Sequence, residues 1–102
     1  MPDTVLVVDD DEGTLRVLEL LLTRRGFEVV KAQTAEDGLR KAYRFQPDIV
    51  LLDVNMPTMD GWEMCRRLRD MSDVPIIFLT AHHDTTNVVH GLELGADDFV
   101  PK

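Results

Sequence analysis

The chain has 102 residues, enough for one domain and too few for two, so residues 1–102 are read as one unit. Its hydrophobic share of 44% and charged share of 29% are ordinary for a globular protein. No apolar run approaches the roughly 20 residues of a membrane span, and Met1-Pro2-Asp3-Thr4 lacks the features of a signal peptide, so the expected location is cytoplasmic. The net charge of −8 argues against direct nucleic-acid binding, which needs a basic face, and suits carboxylates gathered around a cation.

In chain order, residues 5–8 form a continuous apolar run, as expected of a strand covered on both faces of a parallel sheet. The acidic run Asp9-Asp10-Asp11-Glu12 follows, which by itself reads as a solvated face or a helix start. Leu15, Leu18, Leu21 and Leu22 make the apolar stripe of a first helix, with Gly26 as its C-cap. Residues 27–31 are more mixed and read as an edge strand. Thr34 with Asp37 resembles a capping box, opening a helix that carries Leu39 and Ala42 and stops before Pro47.

Residues 48–52 and 75–79 repeat the continuous apolar pattern, and residues 62–71 form a helix between them. On that helix Cys65, the sole cysteine, lies at helical spacing with Met64, Leu68 and Met71, so it reads as a buried apolar residue. A further helix carries Val88, Val89 and Leu92 and ends at Gly95. The last strand is at residues 99–100, with Pro101 tolerable near an edge. Alternating strands and helices predict an α/β domain with a parallel sheet.

Asp9 and Asp10 follow the first strand, Asp53 the third, Thr80 the fourth and Lys102 the fifth. In open α/β sheets the ligand crevice lies outside the carboxyl ends of the strands. Three carboxylates converging there repel one another unless a cation joins them. Mg²⁺ suits such a site, because it uses one or two carboxylates together with waters and phosphate oxygens. A carboxylate is also a nucleophile toward phosphorus, and a hydroxyl and an ammonium have the chemistry to take the other phosphoryl oxygens.

The chain resembles the receiver domain of two-component response regulators. The resemblance is carried by Val5-Leu6-Val7-Val8-Asp9-Asp10-Asp11, by Leu51-Leu52-Asp53-Val54-Asn55-Met56-Pro57 with Met59-Asp60-Gly61, by Phe78-Leu79-Thr80-Ala81, and by Gly95-Ala96-Asp97-Asp98-Phe99-Val100-Pro101-Lys102. It implies a flavodoxin-like, CheY-like three-layer sandwich with five parallel strands in the order 2-1-3-4-5. It implies that Asp53 accepts a phosphoryl group from a sensor histidine kinase, with Mg²⁺, or Mn²⁺ in its place, as cofactor. Asp10 and Asp53 would hold the ion directly, Asp9 mostly through water, and Asn55 by its backbone carbonyl.

The same resemblance gives Thr80 and Lys102 phosphoryl oxygens to bind and makes Phe99 an aromatic switch responding to Thr80. From the residues alone Phe99 is equally a core aromatic. Family analogy puts Asn55 and His82 beside the path of the hydrolytic water, although His82 also reads as a solvent-facing loop residue. His83 and His90 have no partner at a metal-ligand spacing.

Residues 91–99 are similar to receivers of the OmpR/PhoB transcription factors. That implies an attached DNA-binding output domain and a homodimer through the fourth helix and fifth strand, with no membrane and no nucleic acid bound by this chain itself. His90 stands where that subfamily often has arginine. The fifth helix expected after Lys102 is absent from the sequence, so an uncovered apolar sheet face and self-association are expected. Two rival readings are a haloacid-dehalogenase-like phosphatase with Asp9 as nucleophile and a pseudo-receiver that binds without phosphorylation. The chain is short for the phosphatase, which also leaves residues 53–57 unexplained.

Overall fold

Five parallel strands form one sheet in the order β2-β1-β3-β4-β5. The structure is a computed structural model describing residues 3–53, 61–80 and 98–101, with residues 61, 62, 80 and 98–101 described through their backbone. The elements are β1 (Thr4–Val8), α1 (Glu12–Arg24), β2 (Glu28–Ala32), α2 (Ala35–Phe45), β3 (Ile49–Asp53), α3 (Gly61–Met71), β4 (Ile76–Thr80) and β5 (Asp98–Pro101). As expected, β2 is an edge strand, and β5 forms the other edge. The helix expected around Val88, Val89 and Leu92 lies outside the described residues.

Alternation within the continuous apolar runs divides the core in two. Leu6, Val8, Val50, Leu52, Ile76 and Phe78 pack with Ala35 and Ala42 of α2 and Met64, Cys65 and Leu68 of α3. Val5 and Val7 pack on the other face with Leu15 of α1, joined by the partly buried Leu18, Leu22, Val29, Ile49 and Leu51. Successive strand residues point to opposite faces, which is why a run of one residue type serves two layers. Full burial of a side chain such as Leu52 or Phe78 contributes roughly 1.5–3 kcal/mol.

Two residues placed on apolar stripes are instead exposed: Leu21 at 52% and Met71 at 47%. With about 3.6 residues per turn, Leu15, Leu18 and Leu22 share one face of α1, and Leu21 falls roughly a quarter turn away. Met71 is the last residue of α3. It borders an open depression with Tyr43, Pro47 and Val74, where the two helices end.

The helix termini follow their local chemistry. Arg25 caps α1, and Gly26 follows at φ 91°, a left-handed backbone that glycine adopts without steric cost. Gln46 ends α2 in the left-handed region, with φ 46°, and the buried Pro47 follows. At the start of α2 the Thr34 hydroxyl accepts the Asp37 N–H at 3.1 Å. Thr34→Ala is expected to cost about 1 kcal/mol, read as a lowered urea midpoint at unchanged slope.

The Asp37 carboxylate accepts from Lys41 Nζ at 2.9 Å and pairs with Arg40. The hydrogen bond from Lys41, helped by Arg40, holds its carboxyl below the ordinary value of 3.8, against the opposing effect of partial burial. A lowered folded-state pKa stabilises above the unfolded value and loses that contribution as pH falls through the folded one. Asp37→Asn is therefore expected to cost roughly 0.5–1 kcal/mol near neutral pH. The difference from wild type should vanish when urea unfolding is repeated below the folded-state pKa.

Candidate metal centre

Strand register assembles the site. Val8 lies opposite Leu52, and Leu52 opposite Phe78, so the next residues along β1 and β3 are Asp9 and Asp53. Asp53 is itself the last residue of β3 and pairs with Leu79, while Thr80 pairs with Pro101. The Asp9 N–H extends the sheet by donating to the Ala32 carbonyl at 3.0 Å. The backbones of Asp9 and Asp53 are thereby held in the sheet at the carboxyl edge of the central strands.

Asp9 is fully buried, Asp53 is 3% exposed, and Asp10 faces solvent. One carboxylate oxygen from each of the three lies within 4.8 Å of the others. Three negative groups so close repel strongly where water is excluded; one pair at that separation costs on the order of 3 kcal/mol at an effective dielectric constant near 20. A hard divalent cation relieves that repulsion, and an all-oxygen donor set with one solvent-facing member suits an ion that keeps several waters. The residues present therefore fit Mg²⁺.

The turn after Asp9 is also bonded internally. Asp9 Oδ1 accepts the Asp11 N–H at 2.9 Å. Asp11 is the N-cap of α1: its Oδ1 accepts the Gly13 N–H at 3.2 Å, and its Oδ2 accepts the Thr14 hydroxyl at 2.7 Å. From the sequence, Asp11 belonged to an acidic run read as a solvated face or a helix start, with no role of its own. The signal that could have separated it is Asp-x-x-Thr at the helix start, a capping pattern.

Beside this edge, a depression of about 460 Å³ between α1 and α2 is lined by Glu12, Arg16, Lys31, Thr34, Asp37 and Lys41, and by none of the three clustered aspartates. Lys31 is paired with Glu19 and Lys41 with Asp37. Of the other expected site residues, Thr80 is placed by its backbone at the end of β4 and Phe99 by its backbone within β5. Asn55, His82, His83, His90 and Lys102 lie outside the described residues. Among the described residues no helix is long and apolar enough to cross a membrane.

Residues 5–102 match the model of the response regulator receiver domain, and the chain belongs to that family, the receiver module of two-component phosphorelay signalling. It is 48% identical over 99 residues to the transcriptional regulatory protein AfsQ1 of Streptomyces coelicolor, covering 97% of this chain and 44% of that protein. It is 43% identical to the alkaline phosphatase synthesis transcriptional regulatory protein PhoP of Bacillus subtilis, covering 100% of this chain and 43% of that protein. The chain thus spans less than half the length of these relatives. Among solved structures, the BeF3-activated N-terminal receiver domain of Klebsiella pneumoniae RstA superposes with a TM-score of 0.95 at 31% identity, covering 98% of this chain and 86% of that one. A putative response regulator from Chloroflexus aurantiacus gives 0.94 at 38% identity, covering 100% and 86%.

Proposed function

We propose that Asp53 is the phosphoacceptor of this receiver, and that Asp9, Asp10 and Asp53 together hold a Mg²⁺ ion. The observation that carries this reading is the convergence of these three carboxylates at the carboxyl edge of β1 and β3. When bound, the cation supplies charge neutralisation, for the carboxylates and for the transferring phosphoryl group. An Asp53 oxygen attacks phosphorus as the bond to the donor nitrogen breaks, and the leaving imidazole takes up a proton.

The resemblance assigns phosphoryl oxygens to Thr80 and Lys102 and a responding aromatic to Phe99. Asn55 completes the proposed metal set through its carbonyl. The phosphoryl donor in this reading is a sensor histidine kinase, and the protein is a cytoplasmic phosphoacceptor rather than an enzyme turning over an external substrate. Its relatives AfsQ1 and PhoP are transcriptional regulators by name. By analogy, residues 1–102 form the receiver unit whose phosphorylation switches a DNA-binding output domain, with a homodimer through the fourth helix and β5.

Treatment with acetyl phosphate tests the assignment. Mg²⁺-dependent gain of one phosphoryl group, mapped to Asp53, is the expected result. Label on Asp9 would favour a phosphatase-like nucleophile, and no label at all would favour a pseudo-receiver. Independently of phosphorylation, Mg²⁺ at a hundredfold excess over its Kd is expected to stabilise the fold by about 2.7 kcal/mol. Thermal unfolding with and without the ion measures this, and Asp10→Asn should reduce the increment.

A further inference from the structure

Asp9 carries the buried end of the carboxylate cluster, and its Oδ1 accepts the last of a chain of hydrogen bonds that begins outside the cluster. The Thr14 hydroxyl donates to Asp11 Oδ2 at 2.7 Å, and Asp11 Oδ1 accepts from Gly13 N–H at 3.2 Å. Both oxygens of the Asp11 side chain are thereby engaged. This holds Asp11 in the extended N-cap conformation, φ −87° and ψ 110°. In that conformation its backbone N–H donates to Asp9 Oδ1 at 2.9 Å.

We propose that Asp11 and Thr14 are positioning residues for cation binding, acting through the Asp11 N–H on the carboxylate of Asp9. The proposal rests on the reading of Asp9, Asp10 and Asp53 as a Mg²⁺ site. Asp11 itself stands outside the cluster of converging oxygens. Groups that orient metal ligands from behind typically change affinity by about 10–100-fold when removed. Thr14 is one step further back and carries no charge. Its substitution alters the orientation of Asp9 without altering the charge of the site, so an affinity change at this position reports geometry rather than Coulomb attraction.

The test is Mg²⁺ titration by calorimetry on the full chain, comparing wild type with Thr14→Ala, Thr14→Val and Thr14→Ser. Loss of the hydroxyl in the Ala and Val variants is expected to weaken Mg²⁺ binding on the order of 10-fold, the lower end of that range. Thr14→Ser keeps the donor and should bind as wild type does. Metal-free thermal unfolding of Thr14→Ala is expected to stay near wild type, because the lost hydrogen bond is solvent-exposed; this separates positioning from general loosening of α1. Equal Mg²⁺ affinity in all four proteins would overturn the positioning role while leaving the cation site intact. Thr14→Ser failing alongside Thr14→Ala would also overturn it. Absence of Mg²⁺ binding by wild type would instead remove the reading on which the proposal rests.

Discussion

Asp53→Asn is expected to abolish phosphoryl uptake from acetyl phosphate in the presence of Mg²⁺, with no residual label at any other aspartate. The amide has nearly the shape of the carboxylate but lacks the anionic oxygen that attacks phosphorus, so the chemistry fails while the packing around the 3% exposed side chain is kept. On the proposed assignment neither neighbour takes over. Asp9 is fully buried with Oδ1 committed to the Asp11 N–H, and Asp10 faces solvent on the outer side of the cluster. Intact-mass spectrometry under saturating donor reads the result directly. Wild-type labelling of Asp53→Asn would show that the acceptor lies elsewhere.

Gly38→Ala is expected to destabilise the fold by roughly 1–3 kcal/mol, and Gly38→Val by more. Gly38 is buried where α2 crosses the end of β1. A Cβ built there would stand 2.7 Å from Met64 Cε, 2.9 Å from Val8 Cγ2 and 3.2 Å from Val8 Cγ1. The Met64 methyl is the end of a flexible chain and can swing aside. Val8 is β-branched and stiff at χ1, and its backbone is paired on both sides, with Ala32 and Leu52.

The helix-propensity gain of about 1 kcal/mol for Ala over Gly offsets only part of that clash. Urea unfolding measures the loss, and a double-mutant cycle with Met64→Ala should recover only a minor share of it. Full recovery would identify the methionine, not Val8, as the obstacle. Because Val8 directly precedes Asp9, the same substitution is expected to weaken the Mg²⁺-dependent stabilisation.

Much of this was readable before folding. The continuous apolar runs marked β1, β3 and β4 because a strand covered on both faces needs no polar alternation. The mixed run at residues 27–31 marked an edge strand for the converse reason. Thr34 and Gly26 announced the start of α2 and the end of α1 through purely local chemistry. Asp9, Asp10 and Asp53 were legible because each stands immediately after or at the end of such a run, where the topology of a parallel sheet collects side chains on one edge.

Other features depend on which segments meet, and local sequence does not encode that. The register that sets Asp9 beside Asp53 is a property of the β1–β3 pairing. Which stripe of α1 is buried, and hence that Leu21 roughly a quarter turn away is exposed, depends on how the helix rests on the sheet, although Leu21 is as apolar as its buried neighbours. Gly38 is unremarkable until Val8 and Met64 close around it from two other elements. Asp11 reads as one acid among four until the turn after β1 points its N–H at Asp9. The sequence by itself determined the alternation of strands and helices, the caps and the identity of the clustered carboxylates, since periodicity and capping act over a few residues. Only the tertiary structure decided their separation, their burial and their support, because those are set by contacts between segments distant along the chain.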